Sequence, residues 1–148
     1  MKYFIYYSAT GNGDFIASQL EAKGYQIVKV DTIKPLGKMG FFKILKYGGQ
    51  AMWNKKAKIK DINLELKEDD EVIIGSPIWN DRLSTPINTI LAKYDFNKET
   101  TQFIFYPAGS EAKKATKQIT KKGFAKPPIV YIWPLKNQEK AIEIFKDL

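Results

Sequence analysis

The sequence predicts an α/β fold, a doubly wound three-layer sandwich on a five-stranded parallel sheet of strand order 2-1-3-4-5. Three observations carry that prediction. Short runs rich in aromatic and β-branched residues alternate with helically spaced segments; the second run is more polar than the others; and the loops richest in small, turn-forming and hydrogen-bonding residues follow the first, third and fourth runs.

The strand-like runs are "KYFIYYS" at 2–8, "YQIVKV" at 25–30, "EVIIGS" at 71–76, "QFIFYP" at 102–107 and "IVYIWP" at 129–134. Helical spacing fills the intervals 15–22, 41–53, 85–94, 111–122 and 138–148, with Gly24 and Gly123 where a C-terminal cap glycine belongs. Strict alternation of strand and helix makes βαβ units with right-handed crossovers, and hence a parallel sheet covered on both faces. Gln26 and Lys29 interrupt the second run, which suits a sheet edge. An edge position for strand 2 is what the order 2-1-3-4-5 provides. The irregular stretch 54–70 mixes Lys, Asp and Glu with Ile59, Ile62, Leu64 and Leu66, a pattern expected to lie against the rim.

At 148 residues the chain has the length of one domain, and no repeat, linker or low-complexity tract divides it. A domain of that size buries roughly two thirds of its unfolded surface. No apolar run approaches the ~20 residues that span a bilayer. Lys2 is followed by only a short apolar run before the glycine-rich loop, too short for a secretory signal, so a cytoplasmic protein is expected, as a monomer or weak dimer.

The chain has no Cys and no His. Disulfides, a thiol nucleophile, an imidazole base and the usual zinc ligands are therefore excluded, and redox chemistry would have to come from a cofactor. No side chain is assigned a catalytic role and no metal site is expected. The net charge of +8 rests on scattered lysines and one arginine, Arg82, which reads as a solvated basic surface rather than a nucleic-acid interface. The basic amphipathic segment 37–60 is expected to include a helix covering the sheet, with Phe42 and Trp53 as candidates for a cofactor rim or a partner surface.

In a sheet of this order, ligands bind beyond the strand C-termini at the switch point between strands 1 and 3. The loops there are "SATGNG", "SPIWND" and, after strand 4, "YPAGS". The first places Ser8, Ala9, Thr10, Gly11, Asn12 and Gly13 at a strand-to-helix corner without Lys or Arg. Unpaired helix N–H groups, the positive end of the helix dipole and glycine-permitted backbone approach together make a cradle for an anion. The phosphate-loop pattern with its Lys is absent, which argues against a nucleoside triphosphate; the dinucleotide fingerprint lacks its third glycine because Ile16 stands there, although Asp31 would suit a ribose. A single terminal phosphate suits the cradle best.

These residues resemble the phosphate loop of flavodoxin and its flavodoxin-like relatives, whose pattern is Ser/Thr, any residue, Thr, Gly, Asn, Thr. The segment "GSPIWNDRLSTPINTIL" at 75–91 is similar to the flavin loop of short-chain members, where Pro, an apolar residue and Trp follow strand 3. The resemblance spans the chain in length, element order and loop placement. It implies bound FMN, with Ser8, Ala9, Thr10, Gly11, Asn12 and Gly13 on the ribityl phosphate. Pro77, Ile78, Trp79 and Asn80 would lie against the isoalloxazine, and Tyr106, Pro107, Ala108 and Gly109 would close its other side. It further implies an electron-transfer protein that passes one or two electrons between redox partner proteins, with a peptide near Asn80 and Asp81 able to reorient on reduction. Trp79 would offer the planar wall, while the protein sets the potential by hydrogen bonds and charge near the ring.

Three departures stand out. Gly13 replaces the last hydroxyl, and Asp14 follows directly, which opposes a phosphate dianion unless its carboxylate points away. The basic charge also reverses the acidic docking polarity typical of the family, so an acidic partner is expected. The alternatives are an NAD(P)H-dependent flavin or quinone reductase of the same fold and a binding module that has lost FMN. A response-regulator receiver is disfavoured, because strand 1 ends in Tyr6, Tyr7 and Ser8 rather than acidic residues.

Overall fold

The computed structural model describes residues 1–34 and 56–148. The chain enters as β1 (Lys2–Tyr6), α1 (Asn12–Glu21) and β2 (Gln26–Lys29), and continues through β3 (Glu71–Trp79), β4 (Arg82–Leu83) and α2 (Thr85–Lys93). β5 (Gln102–Tyr106), α3 (Lys113–Lys121), β6 (Ile129–Val130), two 3-10 turns (Pro134–Lys136 and Gln138–Lys140) and α4 (Ala141–Ile144) complete it. The sheet order is β2-β1-β3-β5-β6, with β4 paired to β3. Among the described residues the strands pair in parallel except β3 with β4, and an isolated antiparallel bridge joins Thr32 to Ile59. This is the flavodoxin-like arrangement, with six strands where the sequence predicts five. Among the described residues no helix is long and apolar enough to cross a membrane.

The sixth strand has a local cause. β3 does not stop at Ser76 but runs on to Trp79, then reverses through Asn80 and Asp81 so that Trp79 faces Arg82 and Ile78 faces Leu83. Both turn residues have positive φ, 50° and 62°. A two-residue hairpin needs that backbone twist, and Asn and Asp tolerate it best after glycine. Pro77, Ile78 and Trp79 therefore belong to a strand rather than to the loop that the sequence suggests.

Period-two alternation sorts the strands' apolar side chains onto two faces. Tyr3, Ile5, Val72, Ile74, Phe103 and Phe105 point one way, against Ile87 and Ile90 of α2 and Ala115 and Ile119 of α3. Phe4, Tyr6, Ile73, Ile104 and Tyr106 point the other way, against Ile16, Ala17 and Leu20 of α1 and Ala141 and Phe145. Both faces are covered, so the inner strands read as nearly continuous apolar runs. Full burial of each large side chain contributes about 1.5–3 kcal/mol. β2 sits at the sheet edge with only intermediate or exposed residues, as Gln26 and Lys29 suggest.

Gly123, at φ +90°, ends α3 in a Schellman arrangement. Phe124 N–H reaches the Ile119 carbonyl at 3.2 Å, and Gly123 N–H reaches that of Thr120 at 3.0 Å. The last strand and helix are shorter than the sequence suggests. β6 keeps two residues because Trp133, in the left-handed region at φ 47°, starts a 3-10 turn at Pro134. The segment expected as one helix over 138–148 begins as 3-10 and is α-helical only over Ala141–Ile144. Ile59 is buried, and Ile62, Leu64 and Leu66 pack on the α2 face of the core, as expected of the stretch before β3. The helix expected over 41–53, with Phe42 and Trp53, lies outside the described residues.

Candidate functional site

The C-terminal edge of the sheet brings together the loop at 8–13, the end of β3 with its hairpin, and the segment at 106–110. The joints are specific. Tyr7 N–H donates to the Gly75 carbonyl at 3.3 Å, and the Tyr106 hydroxyl donates to the Tyr7 carbonyl. The Trp79 ring meets Tyr7 edge-on, with centroids 5.7 Å apart. Tyr106 is fully buried, and burial pushes its phenol well above the usual tyrosine range, so it stays a hydrogen-bond donor.

The first loop is organised by Ser8. Its Oγ accepts the N–H groups of Gly11 and Gly13, both at 3.1 Å. Gly11, at φ 87°, is the N-cap of α1, in a conformation that would strain other residues. Asn12 is buried; its Oδ1 accepts Leu135 N–H at 3.0 Å and its Nδ2 donates to Thr10 Oγ1 at 3.1 Å. Ser8 and Asn12 therefore shape the corner, while the exposed Thr10 presents the outward hydroxyl. Among the described residues the N–H groups of Thr10 and Asn12 have no protein acceptor. They lie at the positive end of α1, where an anion binds best.

Both sequence departures in this loop have structural reasons. A Cβ at Gly13 would sit 2.8 Å from Tyr106 Oη, 2.8 Å from Tyr6 Cδ2 and 3.0 Å from Ser8 Cβ, so the two tyrosines occupy the room a larger residue would need. Asp14 turns to one side, where its Oδ1 accepts from Tyr6 Oη and from Lys29 Nζ, each at 2.7 Å. Partial burial pushes this carboxyl up, but hydrogen bonds from Lys29, Tyr6 and Ser8 outweigh it and hold the group below its usual range. Burial and the bond to Asp14 raise the Tyr6 phenol. Lys29 is thus the cation that the loop itself lacks. It stands opposite Tyr6 in the β1–β2 register, a position that could have been read from the parallel pairing. An open cleft of about 290 Å³ beside the loop is lined by Tyr7, Ser8, Ala9, Lys29, Asp31, Thr32 and Lys60.

The second group is placed differently from the sequence expectation. Trp79 is only 6% exposed and belongs to the core on the α2 face; Pro77 is buried opposite Tyr106, and Ile78 is half-buried. Asn80 is exposed at the turn. Asp81 is engaged with the neighbouring helix: its Oδ2 accepts Lys114 N–H at 3.1 Å and its carbonyl accepts Ala115 N–H at 2.8 Å. The residue before α3, Ala112, has no capping side chain, so Asp81 caps that helix from the hairpin. Behind the turn, Ser84 N–H donates to Ser76 Oγ at 3.2 Å, and both serines are wholly buried.

In the third group Tyr106 and Pro107 are buried, whereas Ala108 and Gly109 are exposed. Gly109 has φ 114°, and a Cβ placed on it would meet nothing within 4 Å. The aromatic that reaches the same edge without sequence warning is Trp133, half-buried, with its N–H on the Pro107 carbonyl at 3.2 Å and Lys136 Nζ 4.3 Å from its ring centroid. Its left-handed backbone gives no composition signal, because neither Gly nor Asn marks the position.

No protein-family model matches the chain, and no curated protein matches it. Solved structures do. A provisionally named flavoprotein from Bacteroides uniformis aligns with a TM-score of 0.78 at 18% identity over 99% of this chain and 97% of that one. A flavoprotein from Lactobacillus acidophilus NCFM, solved in complex with FMN, aligns at 0.64 and 17% identity over 93% and 96%. The apo form of the flavoprotein from that organism aligns at 0.63 and 19% identity over 92% and 95%. At these identities the likeness establishes the flavodoxin-like fold.

Proposed function

We propose that this chain is a one-domain flavodoxin-like protein that binds FMN non-covalently and passes electrons between redox partners. The observation that carries the reading is the corner at 8–13. Ser8 holds Gly11 and Gly13 in place, the N–H groups of Thr10 and Asn12 have no acceptor among the described residues at the start of α1, and Lys29 pairs with the carboxylate of Asp14 that follows the loop. That donor set fits a terminal phosphate. The flavoprotein from Lactobacillus acidophilus NCFM, which shares the fold, was solved with FMN.

When bound, FMN supplies one- or two-electron redox chemistry. The chain's own residues would hold and orient it. Thr10 would donate its hydroxyl and N–H to the phosphate, and Asn12 its N–H. Asn80 and the exposed backbone at Ala108 and Gly109 would meet the polar edge of the ring system. Tyr7, Trp79 and Tyr106 form the apolar floor that keeps water from the inner side of the corner. Asp81, capping α3, fixes the hairpin and restricts reorientation of the Asn80–Asp81 peptide.

A visible absorption spectrum of the purified protein, followed by stepwise reduction and reoxidation, tests the reading. A flavin spectrum that bleaches and returns is expected; a colourless protein that leaves FMN fluorescence unchanged on titration contradicts it. A second reading, a module of this fold without flavin, is favoured by the burial of Trp79, and the same titration separates the two. Bleaching by NAD(P)H alone would indicate a reductase.

A further inference from the structure

Resting on the flavin reading, we infer that the cleft between β4 and α3 is the docking surface for an acidic protein partner. The cleft measures about 300 Å³ and is lined by Arg82, Lys114, Lys117, Gln118 and Lys121. Four of these five residues are cations, and they come from two elements far apart in sequence. Lys114, Lys117, Gln118 and Lys121 recur at three- and four-residue spacing, which places them on one helical face, a stripe about 10 Å long. α3 holds four lysines and no acidic residue, while Ala115 and Ile119 anchor its other face in the core.

Two of the lysines in the cleft are not spent on nearby acids. Lys113 is paired with Glu111 at 2.8 Å, but Lys117 and Lys121 make no salt bridge among the described residues. The carboxylate of Asp81, in the hairpin, is turned onto the Lys114 N–H. Clustered charge of one sign raises the local concentration of an oppositely charged partner and orients its approach. The position also fits. Arg82 in the cleft directly follows the Asn80–Asp81 turn, so a protein seated there would lie beside the hairpin assigned to the ring system. The stripe is too short to follow a nucleic-acid backbone, where specific binders commonly neutralise about 6–10 phosphates.

The test is fluorescence anisotropy with a labelled acidic [2Fe–2S] ferredoxin as the probe, run on the full chain with and without added FMN. The double variant Lys117→Glu/Lys121→Glu is expected to weaken binding about tenfold or more, and raising the salt from about 20 to about 200 mM should weaken the parent similarly. Lys140→Glu/Lys146→Glu makes the same change in net charge beside α4, on the opposite layer, and should leave binding within about twofold. Equal weakening by both double variants, no binding by the parent at low salt, or tighter capture of duplex DNA through the same lysines overturns the proposal. An FMN titration of each variant keeps the two claims apart. Docking that persists in a protein unable to bind FMN rejects the flavin reading and leaves the surface standing, whereas normal FMN binding with no selective loss of docking does the reverse.

Discussion

The carboxylate of Asp14 and the ammonium of Lys29 meet at 2.7 Å, across the gap between the first turn of α1 and the edge strand β2. This pair decides whether an acid next to the corner at 8–13 repels a phosphate. With Lys29 present it is offset. Lys29→Met is therefore expected to weaken FMN binding by roughly fivefold to tenfold, the scale of ~1 kcal/mol for one uncompensated exposed charge at contact distance. Adding Asp14→Asn should restore most of that loss. Isothermal titration of the four proteins in this double-mutant cycle checks it, and independent effects would contradict the pairing.

The same pair sets an acid limb. Asp14 is held below its usual range when folded, so its contribution to stability is present above the unfolded carboxyl value of ~3.9 and is lost as pH falls through the lower folded value. Asp14→Asn should flatten the stability profile over that acid window and leave its slope near neutrality unchanged. Urea midpoints measured across the acid range report it, and an unchanged acid limb would argue against the shift.

Gly13 fits only because nothing projects from it. A methyl group there meets Tyr106 Oη and Tyr6 Cδ2 at 2.8 Å, and both rings are packed in the sheet face. Gly13→Ala is expected to cost about 1–3 kcal/mol, and Gly13→Thr at least as much, although threonine would restore the resembled loop pattern. Thermal unfolding at matched pH measures this. An unchanged midpoint for Gly13→Thr would mean that the tyrosines move aside freely.

Asp81 caps α3 from another element. Asp81→Ala should lose about 0.5–2 kcal/mol, and Asp81→Asn should retain most of the parent stability because it keeps an acceptor and tolerates positive φ. Hydrogen exchange at the Lys114 amide, the one bonded to the Asp81 carboxylate, reads the cap directly. Faster exchange at that amide in Asp81→Ala is expected, with the Ala115 amide, which bonds the Asp81 backbone carbonyl, changed less.

Tyr106 donates to the Tyr7 carbonyl from full burial, and burial raises its phenol well above the usual range. Its stabilising contribution is complete below the unfolded tyrosine value of ~10 and falls as pH rises above it towards the folded value. Tyr106→Phe should cost about 1–3 kcal/mol by leaving a carbonyl unpaired, and should reduce the alkaline loss of stability. Alkaline unfolding curves for the two proteins supply the comparison.

The sheet was legible because period-two apolar patterning and helical spacing are set by neighbours in sequence, and β2's polarity placed it at the edge. The hairpin at Asn80 and Asp81 was hidden by Pro77, which reads as a strand terminator although the register places it opposite Tyr106 at the strand's far end. Trp79 looked like an exposed wall because an aromatic after proline carries no mark of which way the strand turns it. Packing supplies that answer: Tyr7 and the α2 face enclose it. Ser8 and Asn12 have the side chains of ligand donors, but their hydrogen bonds go to the protein itself. Lys29, Trp133 and the basic cleft depend on pairings between distant elements, which no local spacing shows.

The central claim is that the corner at 8–13 grips a terminal phosphate. Parallel fluorescence titrations with FMN and riboflavin test it most directly, because the two ligands share the ring and differ in the phosphate. FMN is expected to bind, and riboflavin to bind about 100-fold more weakly, a difference of ~2.7 kcal/mol. Equal affinities for the two, or no binding of either, would contradict it.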